Sequence, residues 1–353
     1  MTGSGDNGET TPVREGFRFD EAPLSAWLNE HVEGFRGPLQ VTQFKGGQSN
    51  PTFQLATPSR SYVLRRQPTG QLLRGAHAVD REARVISALA SVDFPVPRVF
   101  ALCEDPSVIG SLFYVMDKVP GRIFWDSGFA TVPRTERAAY LDAMNETLAR
   151  LHTADIARVG LSDFGRAENY MARQVNRWSK QYLDDPETGR NAHMDAVIEW
   201  LQARVPAHHD ASIIHGDFRV DNMIFHPQLP RVVAVLDWEL STLGDPIADF
   251  TYHLMMYRLP STISGGLSGT NLAEHGLIDE SEYIRRYCAR TQRERIDNVP
   301  FYLVFNLFRF AAILHGIKGR MRRGTAASAN PAEIASNFDF LAEQAARLAH
   351  AAS

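Results

Sequence analysis

Residues 213–250, IIHGDFRVDNMIFHPQLPRVVAVLDWELSTLGDPIADF, constrain the rest of the chain more than any other stretch. Two short apolar runs in it, Met223–Phe225 and Val232–Leu236, have the bounded look of buried strands. The Pro-containing segment His226–Arg231 between them reads as a turn, so the spacing predicts a hairpin. His215, Asp217, Asp221 and Asn222 stand just ahead of the first strand, and Asp237 closes the second. Buried strands rarely end in so many acids without a use for them.

Phosphoryl transfer from a nucleotide calls for this arrangement. One carboxylate takes or orients the proton of an attacking hydroxyl, while an amide oxygen and a second carboxylate hold magnesium against the phosphates. Asp217, with Asn222 five positions on and Asp237 one hairpin later, fits those three roles. The same residues also have a plainer reading, since acids and Asn at strand ends often only cap turns. His215 is read as structural.

His215-Gly216-Asp217 through Asn222 resembles the catalytic loop of the aminoglycoside phosphotransferase and choline kinase-like superfamily, relatives of the protein kinases. Leu236-Asp237-Trp238-Glu239 resembles that family's metal-binding segment, and Gly244-Asp245-Pro246 with Asp249 matches the pattern that follows it. The resemblance implies an α+β, bilobal, protein-kinase-like fold: a small antiparallel-sheet lobe over residues 17–119 and a larger, mainly helical lobe over 120–353. It also implies ATP, with GTP open, and Mg²⁺ as cofactors. Asp217 is then the catalytic residue, and Asn222 and Asp237 are the metal ligands.

In the first lobe, Phe19–Phe35 shows helical spacing of Leu24, Trp27, Leu28, His31 and Val32. Leu39–Phe44 and Thr52–Ala56 read as strands joined by Lys45-Gly46-Gly47-Gln48-Ser49-Asn50-Pro51. Such a glycine-bearing turn is either an ordinary hairpin or a loop whose bare N–H groups approach phosphate oxygens. The resemblance favours the second, with Gly46, Gly47, Ser49 and Asn50 as nucleotide contacts.

The next strand, Tyr62–Arg66, departs from the pattern, because no lysine occurs between Lys45 and Lys118. Arg65 stands where the kinase pattern expects one, and a guanidinium can still bridge phosphate oxygens. Its expected partner is Glu82, on a helix with Val79, Ala83, Ile86 and Leu89 on its apolar face; the alternative for Glu82 is local pairing with Arg81 or Arg84. Val99–Cys103 and Phe113–Lys118 read as the last strands of the lobe. Met116 to Gly121, with Met116 and Lys118, form the expected hinge beside the adenine.

In the second lobe, helices are predicted over Val132–Thr153, Tyr170–Tyr182, Met194–Arg204, Asp279–Arg293, Pro300–Arg323 and Pro331–Ala351. Phe301–Ile317 is apolar but broken by Asn306, Arg309 and His315, which fits a buried helix better than a membrane span. Pro260–Asn271 reads either as a lid or as a surface loop. His152 has no second ligand nearby in sequence and reads as a core or capping residue, and of the clustered His208, His209 and His215 two lie in a polar linker after Pro206, so no zinc site is expected.

An aminoglycoside is a polycation and asks for an acidic pocket. The segment 165–205 instead mixes Asp184, Asp185 and Glu187 with Arg173, Arg177 and Arg190. The whole chain most resembles the branch of the family that also occurs fused to acyl-CoA dehydrogenases. That implies a small-molecule hydroxyl acceptor of the hydroxyacyl-CoA type, with an amino alcohol as the other option.

Other functions find less support. The net charge of −4 over 353 residues favours neither nucleic acid nor an anionic membrane as partner. Cys103 and Cys288, the two cysteines, have no metal-type spacing, and a reducing cytoplasm is the expected compartment. Residues 1–16 read as a disordered tail without a signal peptide; the GxGxxG at Gly3–Gly8 lacks the flanking strand and helix of a dinucleotide site. No GxSxG supports a serine hydrolase, and no Ala-Pro-Glu follows Asp237 as in protein kinases. A non-catalytic nucleotide- or metabolite-binding module on the same scaffold is the alternative function, and the missing lysine is its support. Oligomeric state is not legible.

Overall fold

Alternating burial along the early strands builds the first lobe. In the computed structural model, which describes residues 10–45, 50–69, 77–207, 210–324 and 331–353, six strands form one antiparallel sheet. They are β1 (Thr10–Thr11), β2 (Gln40–Phe44), β3 (Thr52–Ala56), β4 (Ser61–Arg66), β5 (Val99–Cys103) and β6 (Phe113–Asp117), in the order β1-β2-β3-β4-β6-β5. Phe53 and Leu55 of β3 point to one face, where α1 (Glu21–His31) covers them with Leu24 and Leu28. Asp20 caps that helix by accepting from Ala22 N at 2.9 Å, so it starts two residues later than its apolar spacing predicts. The opposite face carries α2 (Val79–Ala90), which buries Val79, Ala83, Ile86 and Leu89. Covered on both faces, β4 is buried from Tyr62 to Arg66.

The tail expected over 1–16 is structured from Thr10 onward. Thr10 and Thr11 pair with Phe44 and Gln43, and the Gln43 side chain accepts from Arg14 N at 3.1 Å. Two residues are too few to show a strand period. Residues 1–9 lie outside the described residues.

The second lobe is helical: α3 (Arg137–His152), α4 (Tyr170–Leu183), α5 (Ala192–Gln202), then α6 (Pro246–Leu254), α7 (Leu272–His275), α8 (Glu280–Arg290), α9 (Val299–Arg322) and α10 (Pro331–Ala351). Between α5 and α6 run β7 (Ser212–Ile214), β8 (Met223–Phe225), β9 (Val232–Val235) and β10 (Thr242–Gly244). β8 and β9 form the expected hairpin, and β10 pairs back on β7. Helix α9 is long and apolar enough to cross a membrane, yet it packs against α4, α5, α6 and α10, and Phe301, Val304, Phe308 and Ala312 are buried. The bilobal α+β, protein-kinase-like fold is thus present.

The segment joining the lobes is fastened to the hairpin. Arg122 and Phe225 exchange two backbone hydrogen bonds of 2.8 Å. Gly121 lies so close to Phe225 O and the Ile224 side chain that any Cβ there would collide with both.

Candidate active site

The site grows from the ends of β7, β8 and β9. After β7 the chain turns at Gly216, whose φ of 84° suits glycine, and a Cβ there would lie 2.9 Å from Leu240 O. Asp249, in the first turn of α6, stabilises this turn. It is 2% exposed and accepts from His215 N at 2.7 Å and Gly216 N at 2.8 Å. His152 at the end of α3 reaches the same carboxylate at 3.2 Å and contacts the Tyr287 hydroxyl with its other nitrogen. Burial works to raise the Asp249 pKa, but His152 and the N–H donors outweigh it and hold the carboxyl below its usual range. Asp249 therefore braces the loop, and His152 is a structural support.

His215 is fully buried and bridges the loop to the end of β9. Its Nε2–H donates to Leu236 O at 2.8 Å, and its Nδ1 accepts from Asp217 N at 3.2 Å. A second tie runs from Leu236 N to Asn222 O at 2.8 Å, so Asn222 and Asp237 come out side by side at the open end of the hairpin. Asp237 takes a left-handed conformation, φ 64°, at the point where the chain leaves the strand.

The Asp217 carboxylate is held from two sides. Asn222 Nδ2 donates to Asp217 Oδ2 at 3.1 Å and to its backbone oxygen at 2.9 Å, while the Tyr252 hydroxyl donates to Oδ1. Arg219 Nε stands 3.7 Å from Oδ1 and also engages Asp221 and Ser264. With Nδ2 turned toward Asp217, the Asn222 amide oxygen is left for another ligand.

Across the site, Arg65 on β4 meets Glu82 on α2, as expected, with Nε 2.8 Å from Oε2. Its Nη2 also donates to Asp237 Oδ1 at 2.6 Å, which spans the two lobes. Burial alone would lower the Arg65 pKa; Glu82, Asp237 and Glu239 reverse the direction and raise it. Burial raises the Glu82 pKa and Arg65 opposes that.

Asn50, expected among the phosphate contacts, faces inward. It is fully buried; its Nδ2 donates to Glu82 Oε1 at 2.7 Å and its Oδ1 accepts from His77 Nδ1 at 3.0 Å. A buried carboxylate claims nearby donors before a solvent-facing ligand can. Gly46, Gly47 and Ser49 lie outside the described residues, as do His208 and His209. Met116 is buried in the same core cluster as α2, and Lys118 Nζ donates to Gln54 Oε1 at 2.9 Å.

Tyr252, Arg219, His77 and Tyr114 were not legible as site residues. A signal existed for Tyr252, which lies one helical turn from Asp249 and so shares its face. Tyr114 donates to Glu82 at 3.1 Å from β6 and gave none. Beside Asp217, a narrow slot of about 20 Å³ is lined by Phe218, Met255, Met256 and Phe310, with Arg219 and Ser264 among its polar groups. Pro260–Asn271 packs as one wall of this region through buried Ile263 and Leu267 and Gly265 O accepting from Ser127 N.

Residues 40–284, which include Arg65, Glu82, Asp217, Asn222, Asp237 and Asp249, match the family model of the phosphotransferase enzyme family. The chain belongs to that family. Acyl-CoA dehydrogenase family member 10 of Mus musculus is 41% identical over 339 residues, covering 95% of this chain and 32% of its own length. Acyl-CoA dehydrogenase family member 11 of Rattus norvegicus is 40% identical over 347 residues, covering 96% and 44%. The chain thus spans less than half the length of these relatives. A solved structure from Ralstonia eutropha, provisionally described as an aminoglycoside phosphotransferase, superposes with a TM-score of 0.86 at 46% identity, over 94% of this chain and 99% of that one. Two more distant structures share the phosphotransferase fold. The choline kinase of Cryptosporidium parvum has a TM-score of 0.63 at 10% identity, covering 93% and 95%. The APH(4)-Ia aminoglycoside phosphotransferase, solved with ADP and hygromycin B, has a TM-score of 0.59 at 15% identity, covering 93% and 99%.

Proposed function

We propose that this phosphotransferase is a Mg²⁺-dependent small-molecule kinase that moves the γ-phosphoryl group of ATP to a metabolite hydroxyl. The observation that carries the reading is the convergence of Asp217, Asn222, Asp237 and Arg65 at one end of the β8–β9 hairpin. Nucleotide binding in the APH(4)-Ia neighbour is consistent with it.

The donor set suits magnesium. One amide oxygen and one carboxylate, Asn222 and Asp237, are hard oxygen ligands, few enough to leave places for water and phosphate. Mg²⁺ held there would neutralise phosphate charge. Asp217 accepts the proton of the acceptor hydroxyl as that oxygen bonds to the γ-phosphorus and the bond from phosphorus to the ADP oxygen breaks. Arg65, steadied by Glu82, is the guanidinium available to the α- and β-phosphates.

For the acceptor, a hydroxyacyl-CoA-type compound is favoured over a polycation, because the segment 165–205 carries Arg173, Arg177 and Arg190 among its acids, and the names of the curated relatives fit it. Incubating the protein with Mg·ATP and a small-molecule extract of its source cells, then searching by mass spectrometry for phosphorylated products, tests the reading. Products formed by wild type and not by Asp217→Asn support it. Identical profiles from both proteins, with nucleotide still bound, would favour the non-catalytic binding module.

A further inference from the structure

The contact between Arg65 and Asp237 assigns the arginine a second role. Arg65 Nη2 lies 2.6 Å from Asp237 Oδ1, so the cation meant for phosphate is resting on the carboxylate meant for metal. Glu239 is also within 3.8 Å of the same nitrogen. A divalent ion approaching Asp237 from solution meets a fixed positive charge on its ligand.

Among the described residues, no group of three or more His, Cys, Asp or Glu side chains forms a ready metal site. Asn222 and Asp237 are the two expected protein ligands, and Mg²⁺ gives up its waters reluctantly unless phosphates complete its shell.

Arg65 nevertheless has a way to leave. Glu82 Oε2 is 2.8 Å from Nε, but the Nε–H is not aligned for a hydrogen bond, so that attraction is chiefly ionic and tolerates rotation of the guanidinium. Glu82 itself is immobilised by Asn50 and Tyr114. When Arg65 swings off Asp237 it keeps a countercharge and does not become an unpaired buried cation.

We infer that Arg65 gates the metal site: it occupies Asp237 in the nucleotide-free protein, and only a ligand phosphate that draws the guanidinium away frees Asp237 for a divalent cation. The inference rests on the kinase reading above and adds to it that free metal is rejected and metal–nucleotide is selected. By linkage, ADP then tightens metal binding, and metal tightens ADP binding by the same factor.

Calorimetry and Mn²⁺ electron paramagnetic resonance with the full chain test this without any acceptor. Four titrations are compared, Mn²⁺ and ADP each alone and each in the presence of the other, on wild type, Arg65→Gln and the pair Arg65→Met with Glu82→Gln. The paired variant leaves no stranded buried carboxylate and guards against misfolding of the single one. Wild type is expected to bind Mn²⁺ at least about tenfold more tightly with ADP than without. In the variants, binding of Mn²⁺ alone should tighten and the coupling factor should shrink toward one. Adding Asp237→Asn should abolish the gain. Equal binding of Mn²⁺ alone by wild type and variants, with ADP still binding, overturns the gate. Failure of ADP to bind wild type with or without metal would overturn the kinase reading itself.

Discussion

Tyr252 donates its phenolic hydrogen to Oδ1 of Asp217, 35 residues away in sequence. Burial, with the Asp217 charge adding to it, pushes the phenol pKa well up, so Tyr252 remains a donor throughout the working pH range. The ring is held in turn by the Arg309 guanidinium, 5.2 Å from its centroid, which also donates to Gly216 O at 2.8 Å. Tyr252→Phe should leave ADP affinity unchanged and lower turnover by about 10- to 100-fold, the worth of one hydrogen bond to a charged group. Calorimetry with ADP and product formation with the identified acceptor check this; a parallel loss of ADP affinity would mean that Tyr252 shapes the fold and not the carboxylate.

The two site carboxylates should separate in their effects. Asp217→Asn keeps its bond pattern to Asn222 and Tyr252 only in part and cannot take a proton, so turnover should fall by about 10²- to 10⁴-fold with nucleotide still bound. Asp237→Asn should instead remove the metal dependence of nucleotide affinity. Titrations with ADP in the presence and absence of Mg²⁺ distinguish the two.

His253 gives the stability a pH dependence. Its Nδ1–H donates to Phe218 O at 3.2 Å and its Nε2 accepts from the Tyr283 hydroxyl at 2.6 Å, leaving no place for a second proton. Burial lowers its pKa from 6.5 to about 4, against the attraction of Asp249. The unfolded chain therefore binds more protons between those values, and stability is lost as pH falls from 6.5 toward 4. The full effect is on the order of 3 kcal/mol. Urea midpoints at pH 7.5 and 5 should differ more for wild type than for His253→Gln.

Gly121→Ala should be poorly tolerated despite its mild chemistry. The added methyl would meet Phe225 O, a backbone atom already committed to Arg122 N, so relief requires breaking that pair. A loss of about 2–3 kcal/mol is expected from overpacking. Denaturant titration reads it directly, and Gly16→Ala, where nothing lies within 4 Å and φ is not positive, shows how much of any change at such a glycine comes without a collision.

How much of this was legible depended on the range of the interactions. The β8–β9 hairpin, β3 and β5 appear where alternation or bounded apolar runs place them, because a strand's period is local. Helix ends shifted wherever a cap intervened, as at Asn191, which accepts from His193 and Met194 and starts α5 two residues early. The pairing of β7 with β10 was not visible, since three fully buried residues have no alternation to read. Asn50 pointed the wrong way for a related reason. Its partner Glu82 is 32 residues off, and only the folded chain shows which donor a buried carboxylate takes.

Helix α9 carries a consequence for the newly made chain. Before folding, its 24 residues form a segment long and apolar enough, by length and composition, to cross a membrane. Arg309 alone makes transfer to lipid less favourable by about 2.5–3.5 kcal/mol when it sits near the middle of such a segment. Asn306 Nδ2 donates to Ala248 O at 2.9 Å and Arg309 to Gly216 O, so two of the three polar residues that break the apolar run are those that anchor the helix beneath the catalytic loop. Replacing them with apolar residues would therefore weaken the floor of the site and, in the same stroke, lengthen the unbroken apolar run of the unfolded chain.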